Sequence, residues 1–125
     1  MILLLDAHSL LWWLDDDPQL SDDARGAIAH PANDVLVSAA TVWEIEIKRA
    51  LGKLEAPDGL VDVLEPAGLG SLPITLRDAE TAARLPAHHR DPFDRILVAQ
   101  AKRLDALVVS RDPVFGKYGV ESLVA

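Results

Sequence analysis

Four acidic residues stand where an acid is costly unless it has a task. Asp6 closes the apolar run Met1 to Leu5, Glu44 sits within ATVWEIEIKRALGKL, Asp94 follows Asp91 in PAHHRDPFDRILVAQA, and Asp112 comes just after ALVVS. The stretch Pro86 to Ala101 has two readings. In one, Asp91 is a helix N-cap, Pro92 takes the first helical position and Asp94 favours the helix dipole, which accounts for both carboxylates without chemistry. In the other, Asp94 projects from the first turn into a cluster of acids that binds a divalent metal. Glu44 is equally double-sided, because Lys48 lies four residues on in the favourable order for a surface ion pair. Were the four acids gathered, a single like-charged pair about 4 Å apart would cost on the order of 4 kcal/mol at an effective dielectric near 20. Such a cluster takes up protons or binds a cation. Mg²⁺ prefers oxygen donors, and a bound ion that activates water and polarises a phosphoryl oxygen suits phosphodiester hydrolysis.

The elements that must position these acids are legible as alternating runs. Met1 to Leu5 is too short for a helix and continuously apolar, as a strand buried on both faces of a parallel sheet should be. Leu10, Leu11, Trp13 and Leu14 share a helical face that Pro18 ends, and Ser21 caps a second helix, SDDARGAIAH. Asp34 to Ser38 reads as a second strand and Ser38 opens the helix carrying Glu44, which ends near Gly52. After a short amphipathic segment, Leu72 to Ile74 is expected as a third strand. Thr75 and Asp78 make a capping-box-like start for RDAETAARL. The helix holding Asp94 runs to about Leu104, Ala106 to Ser110 is another buried strand, and Val120 to Val124 a short edge strand after a turn at Gly116 to Gly119. This alternation predicts one α/β domain over residues 1–125, a three-layer α/β/α arrangement with a mainly parallel central sheet. Ligands of such sheets bind beyond the carboxyl ends of the strands at a topological switch point. All four acids can reach that end.

Composition narrows the chemistry. With 125 residues the chain suits one domain, and with no cysteine any metal must be held by oxygen or imidazole, so Mg²⁺ or Mn²⁺ is the default. The net charge of −8, from 20 acidic and 12 basic residues, argues against a general nucleic-acid coating protein but not against a nuclease whose metal neutralises its acids. No signal peptide or membrane-spanning run is present, which predicts a cytoplasmic protein without membrane contact. GxxxxGK[ST] and GxGxxG are absent. The phosphatase motif DxDxT would have to begin at Asp6, where the chain reads Asp6-Ala7-His8-Ser9-Leu10. A receiver domain would need an acid ending the third strand, and Ile74 is followed by Thr75.

Over its whole length the chain resembles the PIN-domain ribonucleases, specifically the VapC-type toxins of bacterial toxin–antitoxin pairs. The resemblance is carried in order by LLLDAHSLLWWL, VSAATVWEIEIKRALGKL, LPAHHRDPFDRILVAQA and LVVSRDPVFGKYGV. It implies a Mg²⁺- or Mn²⁺-dependent endoribonuclease that acts on RNA. It also implies a homodimer and inhibition by a VapB-type antitoxin, in a heterotetramer or larger complex. Residue by residue, the family's acidic quartet falls on Asp6, Glu44, Asp94 and Asp112. Asp94 matches better than Asp91 because Ala99 and Ala101 follow it at the family's spacing, so Asp91 keeps the cap with a supporting place beside the metal. Ser110 matches a hydroxyl residue often found just before the last acid, where it would orient a carboxylate or water. Ala7 departs from the Thr or Ser common after the first acid, which removes one hydrogen bond and no ligand.

Other residues are open to two readings. Arg90, Arg95, Arg111 and Lys117 flank the acids and could hold phosphate, or could simply pair with neighbouring acids. His8 is expected to pack near the first strand's exit, and His88 and His89 to shape the groove or touch RNA rather than bind metal. Trp12 and Trp13 together carry more apolar surface than one helix face buries. One of them is therefore expected at a dimer interface or an antitoxin groove. A different class also remains, a non-catalytic RNA-binding or protein-interaction module whose acids are structural.

Overall fold

The computed structural model describes residues 1–125. Its centre is β1 (Ile2–Leu5), whose Leu3, Leu4 and Leu5 are wholly buried. β1 pairs in parallel with β2 (Asp34–Ser38) on one side and β4 (Leu107–Val109) on the other. β3 (Gly70–Leu72) extends the sheet beyond β2 and β5 (Ser122–Leu123) beyond β4, giving the order β3-β2-β1-β4-β5 with every pair parallel.

Alternation along β1 builds two cores. Side chains of successive strand residues point to opposite faces. Leu3 and Leu5 join a cluster with residues of α1 (Ala7–Leu14), α2 (Asp22–Ala29), α3 (Ala39–Ala50) and α4 (Leu60–Leu64). Leu4 joins the opposite cluster, with Leu97 and Val98 of α6 (Pro92–Leu104) and Phe115 of α7 (Val114–Lys117). The result is the three-layer α/β/α arrangement. None of the helices is long and apolar enough to cross a membrane.

Strand ends differ from the sequence expectation for local reasons. β3 ends at Leu72 rather than extending to Ile74. Pro73 has no N–H to donate to a ladder, and Ile74 beyond it is partly exposed. Gly70 pairs with Leu36, whose Cδ2 lies 2.8 Å from where a Cβ would sit, so a larger residue there would turn the Leu36 side chain aside. The turn expected at Gly116 to Gly119 is partly taken up by α7, after which Gly119 adopts φ +73°. Neither Trp12 nor Trp13 stands free. Trp13 Nε1 donates to the Ala67 carbonyl (3.3 Å) and Trp12 lies under the Arg111 guanidinium, 4.3 Å from the ring centroid. The exposed tryptophan is Trp43, at 62%.

The helix that will carry Asp94 is anchored from behind. α5 (Leu76–Arg84) begins with a complete capping box, the Thr75 hydroxyl accepting from Asp78 N and the Asp78 carboxylate from Thr75 N, both at 3.0 Å. The same carboxylate, 1% exposed, accepts two bonds from Arg103 on α6, at 2.7 and 2.9 Å. Burial pushes the Asp78 carboxyl up, but the Arg103 and Thr75 bonds outweigh it and hold it below the usual range. Thr75→Ala should therefore cost about 1 kcal/mol of stability for the lost cap. Asp78→Ala, which also strands Arg103, should lower the melting temperature further than Thr75→Ala; equal losses would show that the α5–α6 bond contributes nothing.

Candidate active site

The strand order reverses at β1, which places the crevice of a doubly wound sheet beyond the carboxyl ends of β1 and β4. Asp6 immediately follows β1 as the N-cap of α1, and Asp112 lies just past β4. Glu44 comes from α3 and Asp94 from the third position of α6. All four line one cleft of about 380 Å³, shared with Lys48, Asp91 and Ser110. A larger cavity, about 600 Å³, opens at the opposite end of the sheet beside Met1, Lys102 and Asp105, but the close grouping of metal-ligand side chains lies elsewhere, at His89, Asp94 and Asp112.

Each acid is held by its own backbone neighbourhood. Asp6 Oδ1 accepts from Ser9 N (3.0 Å) and lies 2.6 Å from Ser9 Oγ, which is also 2.7 Å from the Val109 carbonyl. The wholly buried Ser9 thus ties the ends of β1 and β4 together while orienting Asp6. Asp112 N donates to Ser110 Oγ (3.0 Å), and Asp112 Oδ1 accepts from Val114 N (2.9 Å), leaving Oδ2 3.9 Å from His89 Nε2. Asp94 Oδ2 lies 2.8 Å from the same nitrogen. Asp91 does cap α6, its Oδ1 accepting from Phe93 N (2.8 Å) and Asp94 N (3.2 Å).

Glu44 satisfies both of its readings. Its Oε2 accepts from Lys48 Nζ at 2.5 Å, the i,i+4 pair that the spacing suggests, yet the residue is only 7% exposed and faces the cleft. The Glu44 hydrogen bond, working against burial, raises the Lys48 ammonium above its ordinary range, and the charges of Asp91 and Asp94 add to the effect. Asp94 is the most perturbed carboxyl. Burial, then the charges of Asp91 and Glu44, push it up to about 7, against the opposing pull of His89.

Two of the arginines left open between phosphate and neighbouring acids are engaged instead by carbonyls within the chain. Arg95 donates to the carbonyls of Ala82 (3.1 Å), Leu85 (2.8 Å), Pro86 (3.1 Å) and His89 (3.1 Å), which stitches the end of α5 and the following loop onto α6. Arg111 donates to the Ala125 carbonyl (2.8 Å) and to that of Gln19, and its guanidinium covers Trp12. The reason is the same for both: unpaired carbonyls at element ends compete for a guanidinium fork. Arg90 and Lys117 stay exposed. His88 packs edge-on against Tyr118, ring centroids 5.1 Å apart. Ser9, buried behind the cleft, is the residue that sequence reasoning gave no role, whereas Lys48 makes the Glu44 pair that its spacing suggests. Ser9 was signalled by its position three residues after an N-cap acid.

The donor set fits a hard divalent cation. Four carboxylates face one small cleft, one of them, Asp94, driven toward its protonated form by burial and by the charges of Asp91 and Glu44, and Lys48 and His89 are the cationic or potentially cationic groups in direct contact with them.

Residues 3–121 match the family model described as PIN domain. Among solved structures, the chain is similar to VapBC2 from Rickettsia felis bound to a DNA fragment from their promoter (12% identity, 98% of each chain, TM-score 0.71). It is also similar to VapBC-1 from nontypeable Haemophilus influenzae (15% identity, 98% of this chain and 97% of that one, TM-score 0.66). A third is FitAcB from Neisseria gonorrhoeae (19% identity, 98% and 96%, TM-score 0.64). At these identities the likeness is one of fold. The sequence has no match among curated proteins.

The shift at Asp94 has a stability consequence in metal-free protein. A carboxyl whose folded pKa lies near 7 and whose unfolded pKa is about 3.9 keeps a proton on folding between those values, so stability falls as pH rises through that window. Asp94→Asn removes the titration. In chelator, the variant should melt close to wild type near pH 4 and progressively above it up to about pH 7. A gap that is constant with pH would contradict the buried, crowded environment of Asp94.

Proposed function

The chain belongs to the PIN-domain family, and from that premise we propose that it is a Mg²⁺- or Mn²⁺-dependent endoribonuclease of the VapC type, restrained by a VapB-type antitoxin. The observation that carries this reading is the convergence of Asp6, Glu44, Asp94 and Asp112 on one cleft at the switch point of the sheet. The fold likeness to VapBC complexes supports the toxin–antitoxin setting.

In this reading the four carboxylates hold the cation. When bound, it would activate water and neutralise charge developing on the scissile phosphate. The chain's own residues do the positioning. Ser9 orients Asp6, and Ser110 holds the backbone of Asp112 so that its carboxylate faces the cleft. Asp91 fixes the first turn of α6 and with it the direction of Asp94. Lys48 donates to Glu44 Oε2 and so fixes the direction of that side chain beside the cleft. Exposed Arg90 and Lys117 are left to contact the phosphates of an RNA strand.

The surface also supports a homodimer. Trp43, edge-on to Phe93 with ring centroids 5.4 Å apart, stands between two apolar grooves. One, of about 310 Å³, includes Ile74, Ala83 and Ile96; the other, about 490 Å³, includes Val42, Val61 and Leu64. An exposed apolar surface of this kind marks a partner site.

Purified chain incubated with structured RNA should cleave it in Mg²⁺ and stop in chelator. Asp94→Asn should lower the rate by at least about a hundredfold, since losing even a supporting group around a metal costs 10- to 100-fold. Equal cleavage in all three conditions would sink the proposal. No cleavage together with no rise in melting temperature on adding Mn²⁺ would instead support a non-catalytic module.

Trp43→Glu should turn a dimer into a monomer by light scattering after gel filtration; a wild-type monomer at micromolar concentration would remove the homodimer.

A further inference from the structure

A histidine in a surface loop ordinarily points wherever solvent lets it, yet His89 is held on both sides. Its backbone N–H donates to Tyr118 Oη (2.9 Å) and its carbonyl accepts from Arg95 (3.1 Å). Tyr118, 5% exposed, in turn donates to the Pro86 carbonyl (2.8 Å), and Arg95 reaches the same carbonyl from α6. The loop is therefore strapped at residues 86 and 89 to two rigid elements. The ring that results has its Nε2 at 2.8 Å from Asp94 Oδ2 and 3.9 Å from Asp112 Oδ2.

We infer that His89 is a nitrogen ligand of the cation held by Asp94 and Asp112, so that this chain's site is a mixed oxygen and nitrogen site rather than a ring of carboxylates alone. The inference rests on the metal-site reading above and adds a ligand to it. Donors on a small divalent ion with bonds of about 2.1 Å stand roughly 3 Å apart when adjacent and about 4.2 Å when opposite. The two separations from Nε2, 2.8 and 3.9 Å, lie within about 0.3 Å of those two spacings, and one donor atom from each of His89, Asp94 and Asp112 lies within 4.8 Å of the others. With the proton on Nδ1, Nε2 presents its lone pair to the space between the two carboxylates. The competing arrangement is a simple ion pair, in which Nε2 keeps a proton and donates it to Asp94. The two differ in what they do to metal selectivity. Imidazole adds little for Mg²⁺, which favours oxygen, and more for Mn²⁺ and the later divalent ions.

The test uses the full chain with Mn²⁺ alone as the probe. Pulsed electron paramagnetic resonance of bound Mn²⁺ should show coupling to a nitrogen in wild type that is lost in His89→Ala and retained when His8, the histidine that lines the cleft wall, is changed in His8→Ala. The Mn²⁺ Kd measured by calorimetry should rise by about tenfold or more in His89→Ala, with a smaller change for Mg²⁺. Melting curves in chelator check that the variant folds, and His89→Gln, which keeps a polar side chain in the loop, repeats the spectroscopic arm if His89→Ala does not. Mn²⁺ bound by wild type without nitrogen coupling, or coupling that disappears only in His8→Ala, overturns the role of His89 while leaving the carboxylate site intact. Failure of wild type to bind Mn²⁺ at all overturns both.

Discussion

Negative charge crowded into one cleft is the constraint around which the rest of this molecule is arranged. Like charges at contact distance cost several kcal/mol each unless something answers them. Part of the answer is built from the backbone. Asp6 caps α1 and Asp94 lies in the first turn of α6, so both sit at the positive ends of helices. Part comes from side chains, with Lys48 on Glu44 and His89 on Asp94. These contacts do not remove the strain, since the Asp94 carboxyl still lies near 7. What remains is charge that a proton or a cation would relieve, held together by the fold.

The fold can do that because its two cores are independent of the site. Leu3 and Leu5 feed one hydrophobic cluster and Leu4 the other, so β1 is clamped from both faces before its chain reaches Asp6. Parallel pairing on both sides of β1 then brings the end of β4, and with it Ser110 and Asp112, to the level of Asp6. Ser9 closes the gap between the two strand ends. The α5–α6 pair is secured on the far side by Asp78 and Arg103, away from the cleft. The carboxylate that ties α5 to α6 is thus segregated from those of the cleft, and it is the one buried Asp with a fully satisfied shell.

What could be read from sequence follows the same division. The apolar runs and N-cap residues are local signals, so Ser21, Ser38, Thr75 and Asp91 were legible as caps and the buried strands as strands. The convergence of the acids was legible because parallel α/β topology sends all strand ends one way. Tertiary hydrogen bonding was not. Nothing in the neighbourhood of Arg95 or Arg111 says that their guanidinium groups meet carbonyls of distant elements rather than phosphate. Trp43 was likewise hidden, because a tryptophan within an amphipathic helix carries no sign of which side faces the sheet. Trp12 and Trp13, as adjacent aromatics, drew the expectation of a partner contact, whereas the exposed tryptophan is Trp43.

Asp91 joins these strands. It was legible as a cap, and it is one: a single oxygen accepts from the backbone of both Phe93 and Asp94. The bond that fixes the start of α6 also fixes the origin of the Asp94 side chain. Since the two carboxylates lie three residues apart on adjoining turns, the capping charge cannot be placed without also acting on Asp94, and it is the largest charge effect raising that carboxyl. A neutral cap such as Ser would hold the helix nearly as well and relieve Asp94. An aspartate there adds more negative charge to the cleft than helix formation requires, so the choice of cap belongs to the electrostatics of the site as much as to the folding of the helix.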